Sequence, residues 1–240
     1  METLTPRNQG IDMRRNFIAA LALTFCVFAF ASPALGQGYQ SAVGWSGGVF
    51  FNTALNDGAT GSGDFVEMTV DPTWVLNVNY DYWLGGGNLG IRANGGFSKP
   101  ILPWVQGDRE IRVYMADLGI ILRPIAAGPD RSVLPFIGGG VGFMNWGLGD
   151  GLPTDYDPAG VRYGGEQSFD LIASAGAGLD FVTPWEWGEG PLVIRLEGRD
   201  YLQFSSPFDP IDSASDDFGL IHNVVVLLGF HTGMGTMPGG

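Results

Sequence analysis

The chain has 240 residues, a formal net charge of −13 and a single cysteine. That length suits one barrel-sized domain, and the acidity excludes nucleic acid as a partner, because phosphate binding needs a basic surface. Glycine is the commonest residue at 39, well above the roughly 7% norm, and its interleaving with aromatic and β-branched residues points to crowded, curved strands rather than disorder.

The N-terminus reads as a secretory signal. Arg14 and Arg15 supply a positive n-region, Phe17 to Ala31 an apolar h-region, and Ala34-Leu35-Gly36 a small-x-small cleavage site before Gln37. The apolar run is short for a membrane helix and ends at Ser32-Pro33 with no basic stop-transfer flank. Residues 1–12 read as an upstream extension, with Met13 a second candidate start. Cys26 lies in the h-region between Phe25 and Val27, which do not make a lipoprotein cleavage box. The mature chain is therefore expected to carry no thiol, disulfide or lipid anchor, as suits a periplasmic or outer-membrane protein. The expected division is 1–36, extension and signal peptide, and 37–240, one barrel with a short C-terminal tail.

From Val43 onward the hydrophobic period is two, the period of a strand. Val43, Trp45, Gly47, Val49 and Phe51 alternate with Gly44, Ser46, Gly48, Phe50 and Asn52 in a first strand, followed by a polar loop from about Thr53 to Gly63. Trp74, Leu76, Val78, Tyr80 and Tyr82 share one face of the next strand, with Val75, Asn77, Asn79 and Asp81 on the other. After Gly85-Gly86-Gly87 the pattern resumes through Leu89, Ile91, Ala93, Gly95 and Phe97 against Gly90, Arg92, Asn94, Gly96 and Ser98, which makes a hairpin. A loop over 99–110 precedes the fourth strand, where Tyr114, Ala116, Leu118, Ile120 and Leu122 oppose Val113, Met115, Asp117, Gly119, Ile121 and Arg123. The fifth is Pro135 to Phe143, and an acidic loop over 146–167 leads to the sixth. There Phe169, Leu171, Ala173, Ala175, Ala177, Leu179 and Phe181 alternate with Asp170, Ile172, Ser174, Gly176, Gly178, Asp180 and Val182. A turn at Thr183–Pro191 precedes the seventh, with Leu192, Ile194 and Leu196 opposite Val193, Arg195, Glu197, Arg199 and Tyr201. A second acidic loop, about 204–218, precedes the eighth, which shows Val224, Val226, Leu228 and Phe230 on its apolar face.

A soluble sheet would cover its outer face with Lys, Glu and Thr. This chain has one lysine, Lys99, and its polar faces are built from Gly, Ser, Asn, Asp and Arg, which suit a cramped interior. Apolar outside and polar inside is the pattern of a transmembrane β-barrel. The even strand number and the alternation of short with long, polar connections agree with it. The expected fold is all-β: an eight-stranded antiparallel up-and-down transmembrane β-barrel. Over roughly 40–235, and most of all in Pro135–Phe143 and in Arg195-Leu196-Glu197-Gly198-Arg199-Asp200-Tyr201, the chain resembles the small eight-stranded outer-membrane barrels, the OmpA transmembrane domain and OmpX. The resemblance implies the bacterial outer membrane as location and a structural or surface role. One departure concerns the end, where Phe230 is followed by His231 and a Gly/Met/Pro-containing tail, so either the last strand stops at Phe230 or its register differs.

The inward positions carry Asp81, Arg92, Asp117, Arg123, Asp170, Asp180, Arg195, Glu197 and Arg199. Both signs in a lumen only just wide enough for side chains point to ion pairs that plug it. A turn centred near Trp187 sets Asp180 across from Arg195, and one near Gly86 sets Asp81 close to Arg92. Catalysis is not expected, because parity places His222 outward at the outer rim and His231 inward at the opposite end. Ser205, Ser206 and Ser213 have no recognisable spacing to a base. Gly138-Gly139-Gly140-Val141-Gly142 lacks the following helix of a phosphate loop. Asp155, Asp157, Asp216 and Asp217 are weak candidates for a hard cation, but lack a calcium-loop spacing. No cofactor or metal is expected. Trp146 and Phe208 in the loops, and Trp185 and Trp187 in the third turn, fit interfacial aromatic belts. The expected partners are outer-membrane lipid and lipopolysaccharide and the assembly machinery, with the protein a monomer. Two alternatives stay open: a small pore or transporter for small or apolar solutes, and a soluble periplasmic lipocalin-like binder.

Overall fold

The computed structural model describes residues 39–53, 56–59, 65–68, 70–84, 87–102, 109–125, 131–148, 167–188, 190–204 and 220–236; the expected signal segment lies outside them. Eight antiparallel strands form the wall: β1 (Tyr39–Asn52), β2 (Thr73–Leu84), β3 (Leu89–Ser98), β4 (Arg109–Leu122), β5 (Val133–Leu148), β6 (Gln167–Trp187), β7 (Gly190–Gln203) and β8 (Ile221–Thr236). Each pairs with its neighbour in sequence, and β1 pairs with β8 from Tyr39↔Thr236 to Asn52↔Asn223, so the sheet closes. This is the up-and-down barrel that the alternation predicted.

Closure fixes the bore. Following directly paired residues around the wall from Ser41 leads through Tyr82, Ile91, Ile120, Gly139, Ala175, Asp200 and Val224 to Phe51, ten residues further along β1. At about 3.3 Å per residue, against eight strand spacings of about 4.8 Å, that stagger tilts the strands by about 40° and leaves about 16 Å between opposite backbones. Two opposed long side chains fill such a width.

Burial follows the pleat. On β2 the outward Leu76 and Val78 are exposed while Val75, Asn77, Asn79, Asp81 and Trp83 are buried. Two apolar layers occupy the lumen. One, at the end of the short turns, gathers Trp83, Ile121, Leu134, Phe136, Val182 and Val193. The other, at the end of the long connections, gathers Phe50, Val75, Val113, Met144, Trp146 and Ile172 with Val70 from the first long connection. Val70 donates its backbone N–H to Asn52 Oδ1 at 3.1 Å, and Asp71 N–H reaches Ile101 O at 3.0 Å, so this return segment is stitched across the mouth.

Several local expectations are corrected. The first long connection contains a short hairpin, Asn56–Ala59 with Phe65–Met68, and the loop over 99–110 contains a short strand, Ile101–Leu102, paired with the start of β4. β5 runs five residues past Phe143, so Trp146 is no loop or belt residue: it is fully buried in the lumen. β6 continues through Trp185 and Trp187, which sit on the wall, more than half exposed. The chain turns instead at Gly188, whose φ of 74° is open to glycine. Between Pro191 and Val193 the register shifts, so that Thr183 to Trp185 stand opposite Leu192 alone. Pro184 has no N–H for the ladder. Thr183 Oγ1 donates to Leu192 O at 2.7 Å and accepts from Trp185 N–H at 3.3 Å, replacing what the bulge removes. β8 does not stop at Phe230, which faces outward, half exposed, but runs to Thr236.

Many inward glycines make room for a large neighbour. A Cβ on Gly44 would meet the His231 ring, one on Gly96 the Met115 side chain, and one on Gly178 both the Phe136 ring and Leu196 O. Gly178→Val should therefore overpack the lumen and cost about 1–3 kcal/mol. Urea unfolding in detergent micelles reads this as a lower midpoint. An unchanged midpoint would show that both Phe136 and the β7 backbone at Leu196 shift to make room.

Candidate functional site: a charged ladder inside the barrel

The nine inward charges expected from the sequence are all buried, with none more than 8% exposed. Eight of them form one continuous, alternating chain: Arg123–Asp180–Arg195–Asp81–Arg92–Glu197–Arg199–Asp117. It climbs from the short-turn end toward mid-barrel and joins five strands, β2, β3, β4, β6 and β7. Four arginines and four carboxylates leave it neutral.

The register builds it. Asp180 lies directly across from Arg195, and Asp81 from Arg92. Arg195 grips Asp180 with Nε to Oδ1 at 2.6 Å and Nη2 to Oδ2 at 2.8 Å, and reaches across the lumen with Nη1 to Asp81 Oδ2 at 2.8 Å. Arg92 repeats the arrangement, with Nε and Nη2 on Asp81 at 2.6 and 3.0 Å and Nη1 on Glu197 Oε1 at 3.0 Å. Arg199 holds Glu197 through Nη2 at 2.6 Å and Asp117 through Nη1 at 2.9 Å; Arg123 Nη2 meets Asp180 Oδ2 at 2.7 Å. The five donors of a guanidinium permit such double grips.

Neutral groups complete the site. Asn94 Nδ2 and Ser174 Oγ donate to Asp117, and Asn79 Nδ2 donates to Asp81. Phe136 lies under two cations, 4.9 Å from the Arg92 guanidinium carbon and 4.4 Å from that of Arg195, while Arg123 stacks 3.6 Å over Trp83. Asp170 stands apart near the opposite mouth, where Gln203 Nε2 donates to it at 2.9 Å and Gln203 Oε1 accepts from Trp146 Nε1. Parity placed Asn79, Asn94, Ser174 and His231 inward, but nothing in the sequence marked the aromatic surfaces of Phe136 and Trp83 as partners of the arginines.

The two histidines are separate, as parity had them. His231 is buried in the lumen; His222 lies on the outer face at the long-connection rim, its Nδ1 2.6 Å from Asp200 Oδ2. Among the described residues no group of three or more His, Cys, Asp or Glu could hold a metal ion. Asp155, Asp157, Asp216 and Asp217, with Ser205, Ser206, Ser213 and Phe208, lie outside the described residues.

The outer face is the inverse of the lumen. From Trp74 to Leu84 the outward side chains of β2 are Trp74, Leu76, Val78, Tyr80, Tyr82 and Leu84, all exposed. With the tilt, that run spans about 25 Å along the barrel axis. Charged outward residues lie at the rims, Lys99, Glu110 and Arg112 at one and Arg131 and Glu186 at the other; Asp200, held by His222, sits just inside the first. Aromatic groups gather at both levels: Trp74–Phe97–Tyr114 and Phe143–Phe169 toward the long connections, Trp45–Trp187 toward the short turns.

Fold and site together define a closed eight-stranded β-barrel with an ionic interior and an apolar exterior. No protein-family model matches the chain, and no curated protein matches it in sequence. Among solved structures it is similar to Ail, the attachment invasion locus protein of Yersinia pestis, crystallised with the heparin analogue sucrose octasulfate. The identity is 15% and the TM-score 0.42, over 80% of this chain and 99% of that one. It is also similar to the N-terminal β-barrel domain of Pseudomonas aeruginosa OprF, at 13% identity and a TM-score of 0.41, over 81% of this chain and 99% of that one. At these values the fold stands on the chain's own closed register.

Removing one rung leaves its partners charged and buried. Arg195→Met should cost about 3–5 kcal/mol, since it strips Asp180 and Asp81 of shared donors. Arg195→Met with Asp180→Asn should cost clearly less than the two single substitutions added, because neutrality is restored. Urea unfolding of the four proteins of this cycle provides the test, and strict additivity would show that the ladder does not act as a unit.

Proposed function

We propose that this chain is an outer-membrane β-barrel protein with a structural or surface-interaction role, its lumen plugged by the charged ladder. The observation that carries the reading is the inverted wall, an apolar outer band about 25 Å tall in which Asp200, near one margin, is held by His222, with aromatic groups at both margins. A soluble lipocalin-like binder would turn that face to water, where so many exposed Leu, Val, Ile and aromatic side chains would drive association. No helix of the described residues is long and apolar enough to cross a membrane, so strands are the spanning elements on this reading.

The plug follows from the bore. With about 16 Å between backbones, Arg92, Arg195 and Phe136 meet in the middle; the apolar layer at the short-turn end packs among the lower rungs of the ladder, and the other layer lies beyond its upper end. Transport through the lumen would have to break several buried ion pairs, so the static plug is preferred to the pore. The partners on this reading are membrane lipid and lipopolysaccharide around the band and the assembly machinery during insertion, with the long connections facing the exterior and the protein acting as a monomer. It carries no cofactor and no catalytic role.

Cell fractionation with electrophoresis before and after boiling tests the location. The protein should be found in outer membranes and shift in mobility on boiling; recovery as a soluble periplasmic protein would overturn the reading. In planar bilayers the purified protein should show no steady conductance at neutral pH. Reproducible ion-selective openings there would replace the plug with a pore.

A further inference from the structure

His231 is a buried titratable side chain that the ladder does not use. It projects from β8 into the short-turn half of the lumen and is 1% exposed. Gly44, directly opposite on β1, leaves the ring its space. Asn79 Nδ2 lies 3.5 Å from its Nδ1 and 3.3 Å from Asp81 Oδ1, so one amide nitrogen bridges the imidazole and the ladder. An amide nitrogen can only donate, so Nδ1 accepts and the hydrogen of the neutral ring sits on Nε2. Nε2 has no hydrogen-bond partner among the described residues. The charged groups facing the ring are Asp81 from β2, Arg92 from β3, Asp180 from β6 and Arg195 from β7. β1 presents only glycine opposite it.

We propose that His231 is an acid-operated latch on the plug, an inference that rests on the plugged-barrel reading. In the closed lumen Nδ1 meets a donor, so a proton arriving there would set N–H against N–H. It would also add a fifth cation to a ladder whose four arginines already balance four carboxylates. Neither conflict is relieved inside the packed bore. Both are relieved when Asn79 swings away and water enters, because hydrated imidazolium is an ordinary species below about pH 6.5. The proton therefore binds the hydrated state in preference to the closed one. By linkage, each pH unit below about 6.5 shifts the ratio of open to closed by up to about tenfold.

The test uses the full-length chain in planar bilayers at pH 7.5 and pH 4.5, beside His231→Gln, which keeps a polar side chain in the site but cannot take up the proton. Boiling-dependent mobility establishes that the variant is folded. The latch predicts a wild-type chain closed at pH 7.5 and opening at least about tenfold more often at pH 4.5, with the variant closed at both. Opening of the variant at pH 4.5 as often as wild type, or a wild-type chain closed at both, would overturn the latch and leave the plug standing. Steady conductance of the wild-type chain at pH 7.5 would overturn the plug and the latch together. Should the variant not fold, imidazole NMR of the wild-type chain decides, since His222 is the only other histidine. Protonation of His231 must accompany opening, and opening with a neutral His231 ring would overturn the proposal.

Discussion

Closure of the sheet is the constraint from which the rest of this molecule follows. Backbone N–H and C=O groups facing hydrocarbon have no water to turn to, so a sheet placed there must pair its first strand with its last. Here that pairing, between Tyr39–Asn52 and Ile221–Thr236, comes with a stagger of ten residues. Strand number and stagger then set the bore, and the bore sets the contents: side chains must fill it, and any charge must find its partner there. The alternating ladder is the packing solution for arginines and carboxylates in a space that admits little water. Its partners sit on five strands because a narrow cylinder brings opposite walls within reach of one guanidinium.

Charge is partitioned accordingly. The ladder is neutral, so the whole net −13 of the chain belongs to other residues. Most of it falls in three of the four long connections, with Asp57, Asp64 and Glu67 in the first, Asp150, Asp155, Asp157 and Glu166 in the third, and Asp209, Asp212, Asp216 and Asp217 in the last. The second, around Lys99, Arg109 and Arg112, carries more positive charge. The wall separates a balanced interior from an acidic end, and each obeys its own solvent: buried charges must pair, whereas exposed ones can stay single.

The wall strands and their faces were legible because a period of two survives in every one of them. Asp81 opposite Arg92 and Asp180 opposite Arg195 were legible because a hairpin turn propagates its register. The second pairing holds for a subtler reason than a turn centred near Trp187. The chain turns later, at Gly188, and the bulge at Thr183–Trp185 brings the register back. A bulge is invisible to alternation, since it is set by the pairing of two strands and not by either alone. Trp146 was misplaced because Asn145, Gly147 and the acidic stretch beyond resemble a loop, whereas Gln203 and Asn223 give its strand polar company inside. The cross-lumen contacts, Arg195 to Asp81 and Arg92 to Glu197, could not be read locally, because they depend on the stagger of the closed cylinder.

The pairing of chain ends also bears on how the molecule comes to exist. Its contacts join residues nearly two hundred positions apart, so the fold belongs to the slow, topologically complex class in which little is gained until late. On the proposed outer-membrane reading, a half-built wall would turn Arg92, Arg195 and Arg199 toward acyl chains with their opposite-wall acids absent, a state far costlier than either the unfolded or the finished one. On that reading hairpins could not be laid into the bilayer one at a time. Insertion and curling would proceed together, with the arginines admitting only the completed cylinder.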